Sequence, residues 1–182
     1  MEIQKTPIDG LLIIKPGVFK DERGYFFESY NKERFLQNGI LMDFVQDNQS
    51  KSSYGVIRGL HYQLKPYAQT KLVRVLQGKI YDVAVDLRKD SPTFGKWFGV
   101  ALSDDNFKQF LIPKGFAHGF SVLSQSAVVM YKCDSYYNKA SERGIIYNDK
   151  SLNIDWKIKP EAVLVSDKDK MMESFEKAEM NF

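Results

Sequence analysis

Apolar residues gather along this chain in short stretches rich in β-branched and aromatic side chains, and turn-forming residues close each stretch. Such runs suit extended, half-buried backbone. They predict strands over Leu11 to Ile14, Phe44 to Gln46, Val56 to Tyr62, Lys71 to Leu76, Ile80 to Leu87, Trp97 to Leu102, Gln109 to Ile112 and Ala127 to Cys133. Within Ile80 to Leu87 the alternation is clear. Asp82, Ala84 and Asp86 share one face; Tyr81, Val83, Val85 and Leu87 share the other. The acidic face therefore meets solvent or lines a polar cavity. Gln77-Gly78 reads as a tight hairpin turn between two of the strands.

Two helices are expected. Asn31 to Asn38 stops against Gly39, and Ser166 with Asp169 three residues on is an N-cap and first-turn acid opening a helix towards Lys177. No repeat, low-complexity tract or Pro/Gly/Ser-rich linker divides the chain, so residues 1 to 182 read as one domain. Many short strands at close spacing predict a sandwich or barrel.

Composition narrows the class. The 182 residues are 43% hydrophobic and 14% aromatic, enough for one substantial core. A net charge of +3 with Lys and Arg scattered among Asp and Glu gives no case for nucleic acid, while leaving room for a local pocket that takes an anionic small molecule. No run is long and apolar enough for a membrane helix, and no basic stretch followed by an apolar core opens the chain. The single Cys133 cannot form an intrachain disulfide, which fits a reducing cytoplasm. Two His and one Cys cannot build an all-N/S zinc cage.

Several residues could carry chemistry. Arg58-Gly59-Leu60-His61-Tyr62-Gln63 sets a cation, a glycine and a histidine side by side in a strand. Strict alternation would turn Arg58 and His61 to opposite faces, but a bulge at Gly59 would turn both inwards. Taken alone, His61 also reads as a structural histidine. Lys71 shares a face with Gln69, Val73 and Val75, so it either snorkels at a strand end or has a partner in the interior. Tyr131 shares a face with Val129 and Cys133, as a core tyrosine does. Pro113, Gly115 and Gly119 shape a tight turn that places His118 at a barrel mouth, where strand alternation offers Asp82 as its partner. Arg23, Gln46, Asp47 and Asn48 lie in turn-like or strand-end segments that a solvated surface would also show.

Together these stretches resemble the dTDP-4-dehydrorhamnose 3,5-epimerase family. The similarity runs from Asp21-Glu22-Arg23-Gly24 to Lys168-Asp169 and includes Phe44-Val45-Gln46-Asp47-Asn48, Gly55 to Gln63, Gln69-Thr70-Lys71-Leu72-Val73, Asp82 to Arg88, Ser91-Pro92-Thr93-Phe94-Gly95 and Ile112 to Phe120, in family order and spacing. The resemblance implies a mainly β fold, a double-stranded β-helix or cupin jelly-roll barrel with short flanking helices. It implies a homodimer whose N-terminal strands reach the partner. Gln63 stands where metal-binding cupins carry the second His of their first motif, so no metal is expected, and the chemistry the resemblance implies requires no cofactor.

The implied substrate is a 4-keto-6-deoxy sugar on dTDP, whose carbonyl acidifies the C3 and C5 protons. The resemblance assigns His61 as base, Asp169 as its orienting acid, Lys71 as the cation facing the C4 oxygen and Tyr131 as the proton donor on the opposite face of the ring. Arg23, Glu28, Gln46, Asp47, Asn48, Arg58, His118, Glu142 and Lys168 match family positions around the nucleotide sugar. A Gly common in the family a few residues beyond Lys168-Asp169 is replaced here by Lys170-Met171-Met172-Glu173. An epimerase of one centre, a keto-isomerase or a non-catalytic sugar-nucleotide binder would share the fold.

Overall fold

The computed structural model describes all 182 residues. In chain order the strands are β1 (Glu2–Lys5), β2 (Leu12–Lys15), β3 (Phe19–Asp21) and β4 (Gly24–Phe26), followed by helix α1 (Lys32–Gln37). Then come β5 (Gln46–Ser53), β6 (Ile57–Gln63), β7 (Lys71–Gln77), β8 (Lys79–Asp86), β9 (Trp97–Ser103), β10 (Gln109–Ile112), β11 (Phe116–Val122), β12 (Ser126–Cys133), β13 (Glu142–Gly144) and the one-turn helix α2 (Asp167–Lys170). No helix is long and apolar enough to cross a membrane.

Two antiparallel sheets face each other. One has six strands in the order β1-β2-β10-β7-β12-β5 and the other five in the order β13-β6-β11-β8-β9, with β3 and β4 forming a separate hairpin. Neighbours along the chain switch sheets at nearly every connection, which is the jelly-roll arrangement of a cupin barrel. The main core lies between the sheets, where Val73, Val75, Phe110, Ala127 and Val129 of one meet Ile80, Ala84, Val100, Leu102, Phe116 and Phe120 of the other. Removing each of the larger of these side chains from water stabilises the fold by about 1.5–3 kcal/mol.

The outer faces are covered too. Val83 and Val85 of β8 and Leu87 just after it pack outwards with Ile57, Leu60 and Tyr62 of β6 beneath Ile145, Leu152 and Trp156 of the C-terminal third. Phe35 of α1 and Ile40 cover Ile14, Leu72 and Leu111 on the other sheet. The acidic face of β8 is thus the inner one. Asp82 and Asp86 are fully buried, Asp82 bonded to His118 within the barrel and Asp86 to Arg88 in the loop that follows β8.

Four expectations need correction. Gln77-Gly78 is no hairpin turn, since β7 and β8 belong to different sheets. Gly78 (φ +82°) instead turns a corner, its N–H donating to Asp104 Oδ2 at 2.8 Å, and a Cβ there would lie 2.1 Å from the Ser126 carbonyl oxygen. The glycine-rich segment after Ile112 turns only around Pro113 to Gly115; Phe116–Val122 is a strand buried at every position, so His118 sits in the sheet. The helix opened by Ser166 stops at Lys170, because Glu173 bridges to Ile145 and accepts from the Ile146 N–H at 2.9 Å. The strand expected at Phe44 to Gln46 runs instead from Gln46 to Ser53, a polar sequence paired residue by residue with β12. Helix α1 lies within the expected span, with Asn31 and Asn38 as its caps and the Asn31 side chain accepting from the Arg34 N–H.

Candidate active site

The bulge foreseen at Gly59 is present. His61 pairs with His118 and Arg58 with Phe120, so Gly59 and Leu60 on β6 face the single Gly119 on β11. Gly59 has φ +125°, and a Cβ on it would lie 2.5 Å from Gly119 Cα and 2.8 Å from the His118 carbonyl oxygen. Only glycine fits. The bulge brings the Gly59 N–H to Asp169 Oδ2 at 3.1 Å, while His61 Nε2 meets Asp169 Oδ1 at 3.0 Å. Asp169 is held from below by the N-cap of α2, its own N–H donating to Ser166 Oγ at 3.1 Å. Burial pushes its carboxyl up, but the bonds from His61, Gly59 and Ser166 outweigh that and hold it below the usual carboxylate range.

His61 stands where two cavities meet. One, of about 310 Å³, is lined by Gln46, Asn48, His61, Tyr62, Gln63, Gln69, Lys71, Tyr131, Tyr137 and Glu142. The other, of about 540 Å³, has Arg58, Ser166, Lys168, Asp169 and Lys170 among its walls. Lys71 and Tyr131 come from adjacent strands of the six-stranded sheet, opposite His61, and Lys71 Nζ lies 5.7 Å from the Tyr131 ring centre. Burial lowers the pKa of the Lys71 ammonium, with Cys133, Asp82 and Glu142 pulling it back up. Burial likewise raises the Tyr131 phenol above its ordinary value, so it carries its proton at neutral pH.

Behind this group lies a second histidine–carboxylate pair. His118 Nε2 meets Asp82 Oδ1 at 2.8 Å, and the His118 ring centre is 6.4 Å from that of Tyr131. Burial lowers the His118 pKa more than Asp82 raises it, which favours the neutral ring. Asp82 Oδ2 is buried without a protein partner. No group of three or more His, Cys, Asp or Glu side chains is arranged to hold a metal ion.

At the mouth, Glu142 Oε2 accepts from Lys168 Nζ at 2.7 Å and from the Tyr137 hydroxyl at 3.0 Å. Of the site residues inferred from sequence, the fold gathers His61, Lys71, Tyr131, Asp169, Gln46, Asn48, Arg58, His118, Glu142 and Lys168 around these cavities. Three stand elsewhere. The Asp47 side chain is on the opposite face of β5 from its neighbours Gln46 and Asn48, where Lys132 Nζ bonds it at 2.9 Å. Arg23 sits at the exposed tip of the β3–β4 hairpin, paired with Asp21, and Glu28 pairs with Arg34 at 2.7 Å. Sequence reasoning left out Tyr137 and the amide of Gln63 as cavity walls. The Tyr136-Tyr137 doublet in a polar segment was the only signal for the first.

The model of the dTDP-4-dehydrorhamnose 3,5-epimerase family matches residues 5–177. The chain belongs to that family. An epimerase of this kind from Shigella flexneri is 56% identical over 170 residues, covering 93% of each chain. The crystal structure of the Elizabethkingia anophelis 3,5-epimerase, 54% identical, superposes with a TM-score of 0.92 over 97% of each chain. That of the Legionella pneumophila enzyme in complex with dTDP-4-keto-L-rhamnose is 51% identical, with a TM-score of 0.93 over 97% of this chain and 93% of the other.

Proposed function

We propose that this protein epimerises dTDP-4-dehydro-6-deoxy-D-glucose at C3 and C5 to dTDP-4-dehydro-L-rhamnose, supplying dTDP-L-rhamnose synthesis. One observation carries the mechanism. His61 lies on the five-stranded sheet and Tyr131 on the six-stranded sheet, and both line one cavity. A sugar ring between the sheets has a base on one face and a proton donor on the other. Family membership and the ligand named in the Legionella pneumophila complex support the substrate class.

The geometry supports the following steps. His61 Nε2–H donates to Asp169, leaving Nδ1 to take the proton from the carbon next to the C4 carbonyl. The C–H electron pair moves into the ring as an enolate, with negative charge on the C4 oxygen. The Lys71 ammonium stabilises that charge, which gives its place beside Tyr131 in the same cavity as His61 a function. The Tyr131 hydroxyl returns a proton to the carbon from the opposite face, and the centre inverts. The base and donor are reset by proton exchange with water. No cofactor enters these steps.

Gln46, Asn48, Arg58, His118, Glu142 and Lys168 hold the nucleotide sugar, with Arg58 and Lys168 suited to phosphate oxygens. The active unit is a homodimer in which the N-terminal strands of one copy reach the cavity of the other, carrying Arg23 and Glu28 to it. Phe19, Tyr25 and Phe26 of the β3–β4 hairpin are exposed, as an interface would require. A cytoplasmic location fits the free, buried Cys133. The test is His61→Ala: solvent-proton exchange into substrate is abolished while affinity for the nucleotide sugar stays within about tenfold, roughly 1.4 kcal/mol. Undiminished exchange would refute the base assignment.

A further inference from the structure

The loop that closes the mouth of the cavity is held by glutamine side chains. Gln69 Nε2 donates to the Ser135 carbonyl at 2.8 Å, and Gln63 Nε2 to that of Tyr136 at 3.2 Å. Gln46 Oε1 accepts from the Tyr137 N–H at 3.0 Å, and Gln63 Oε1 from the Asn138 N–H at 2.6 Å. Four consecutive residues are thus tethered by three side chains from β6, β5 and the segment before β7. Gln63 is the centre of this set. It is 5% exposed, and its amide also donates to the Tyr67 carbonyl at 2.7 Å. Its carboxamide is fully engaged with backbone, leaving it no free donor for a ligand. The loop it holds carries Tyr137, half exposed and bonded to Glu142 at the rim.

We propose that Gln63 is a positioning residue for substrate capture: it fixes the height of residues 135–138, so that Tyr137 and Glu142 form a rigid wall at the cavity mouth. This rests on the assignment of that cavity to the nucleotide sugar. Strand alternation turns Gln63 to the same side of β6 as His61, two residues away, yet its bonds run to the loop and not to the His61–Asp169 pair. Its loss therefore weakens binding more than chemistry. Rigid loops bind better because less ordering is left to do on association.

The test uses Gln63→Glu and Gln63→Ala in the full chain. Glutamate keeps the shape and the acceptor for the Asn138 N–H but sets carboxylate oxygen against the Tyr67 and Tyr136 carbonyls. KM for dTDP-4-keto-6-deoxyglucose and Kd for thymidine diphosphate, a probe that cannot react, are both expected to rise about tenfold, with kcat within about threefold of the parent. Limited proteolysis should cut within residues 134–138 in the variants only. Unchanged KM and probe affinity in folded Gln63→Glu would overturn the proposal, as would a fall in kcat at constant KM. Should Gln63→Ala fail to fold, Gln69→Ala, which releases only the Ser135 end, should raise both constants by a smaller factor, and no rise would count against it. If the parent protein binds the probe but never turns over the sugar, the functional assignment fails and the probe affinities still decide the role of Gln63.

Discussion

Burial pushes the Lys71 ammonium, the His118 imidazole and the Tyr131 phenol towards their neutral forms, while hydrogen bonds hold the Asp169 carboxyl ionised. Cys133, Asp82 and Glu142 pull Lys71 back towards its ammonium form, and negative charge developing on an enolate oxygen beside it acts in the same direction. Asp169 is the one carboxylate bonded to the proposed base, and its second oxygen is fixed by the Gly59 N–H. Asp169→Asn keeps the shape but offers an amide that no longer imposes the tautomer with its proton on Nε2. A fall in kcat of about 10²–10⁴-fold is expected, with affinity for thymidine diphosphate little changed. Steady-state kinetics beside a binding titration would check this. A kcat within a factor of about three of the parent's would remove Asp169 from the mechanism.

Among the elements, β6 is the one whose irregularity makes the site. Its bulge joins Arg58 and His61 on the inner side, and Gly59 makes it possible by passing within contact of Gly119. Gly59→Ala would force a Cβ into that crossing at a φ few other residues adopt. Destabilisation of at least about 2 kcal/mol is expected, read from the urea midpoint, along with loss of turnover. The apolar and aromatic run made this strand legible, and Gly59 within it marked the place of the bulge. Strands β7 to β10 and β12 were equally plain, since each is a short run rich in β-branched or aromatic residues. Strand β5 was not: Gln46–Ser53 is polar throughout, and its pairing with β12 rather than its own composition makes it a strand. Strand β11 was hidden by Gly119, which serves a close approach of backbones and not the turn that Gly115 makes just before it. The helix at Ser166 was cut to one turn by a long-range bridge to Ile145, which no local propensity encodes.

For the molecule as a whole, the sheets leave a polar interior that is stabilised by paired charges as well as apolar packing. Asp86 accepts from Arg88, Ser91 and Thr93 at 2.6 to 2.8 Å. Burial raises its pKa, but these bonds outweigh it and bring the carboxyl down to about 2. Because the folded value lies below the unfolded one of about 3.9, the pair contributes its full stability above that value and loses it as pH falls towards 2, a contribution of about 2 kcal/mol at neutral pH. Asp86→Asn should lower stability at pH 7 by about that amount and flatten the acid limb of an unfolding series. Equal unfolding midpoints for parent and variant at pH 7 would contradict it. The positions of His61, Lys71, Tyr131 and Asp169 were recoverable from sequence through family resemblance, whereas their meeting across two sheets depends on long-range topology. Arg23, Glu28 and Asp47 mark the limit of that route: matching positions do not say which face of a strand a side chain takes, as with Asp47, or whether a hairpin lies near the cavity within one chain, as with Arg23 and Glu28. The central claim is tested most directly by incubating the protein with dTDP-4-keto-6-deoxyglucose in D2O and following deuterium at C3 and C5 by NMR and mass spectrometry. Incorporation at both carbons is expected; absence of deuterium at both, in protein that binds the sugar nucleotide, would contradict the account.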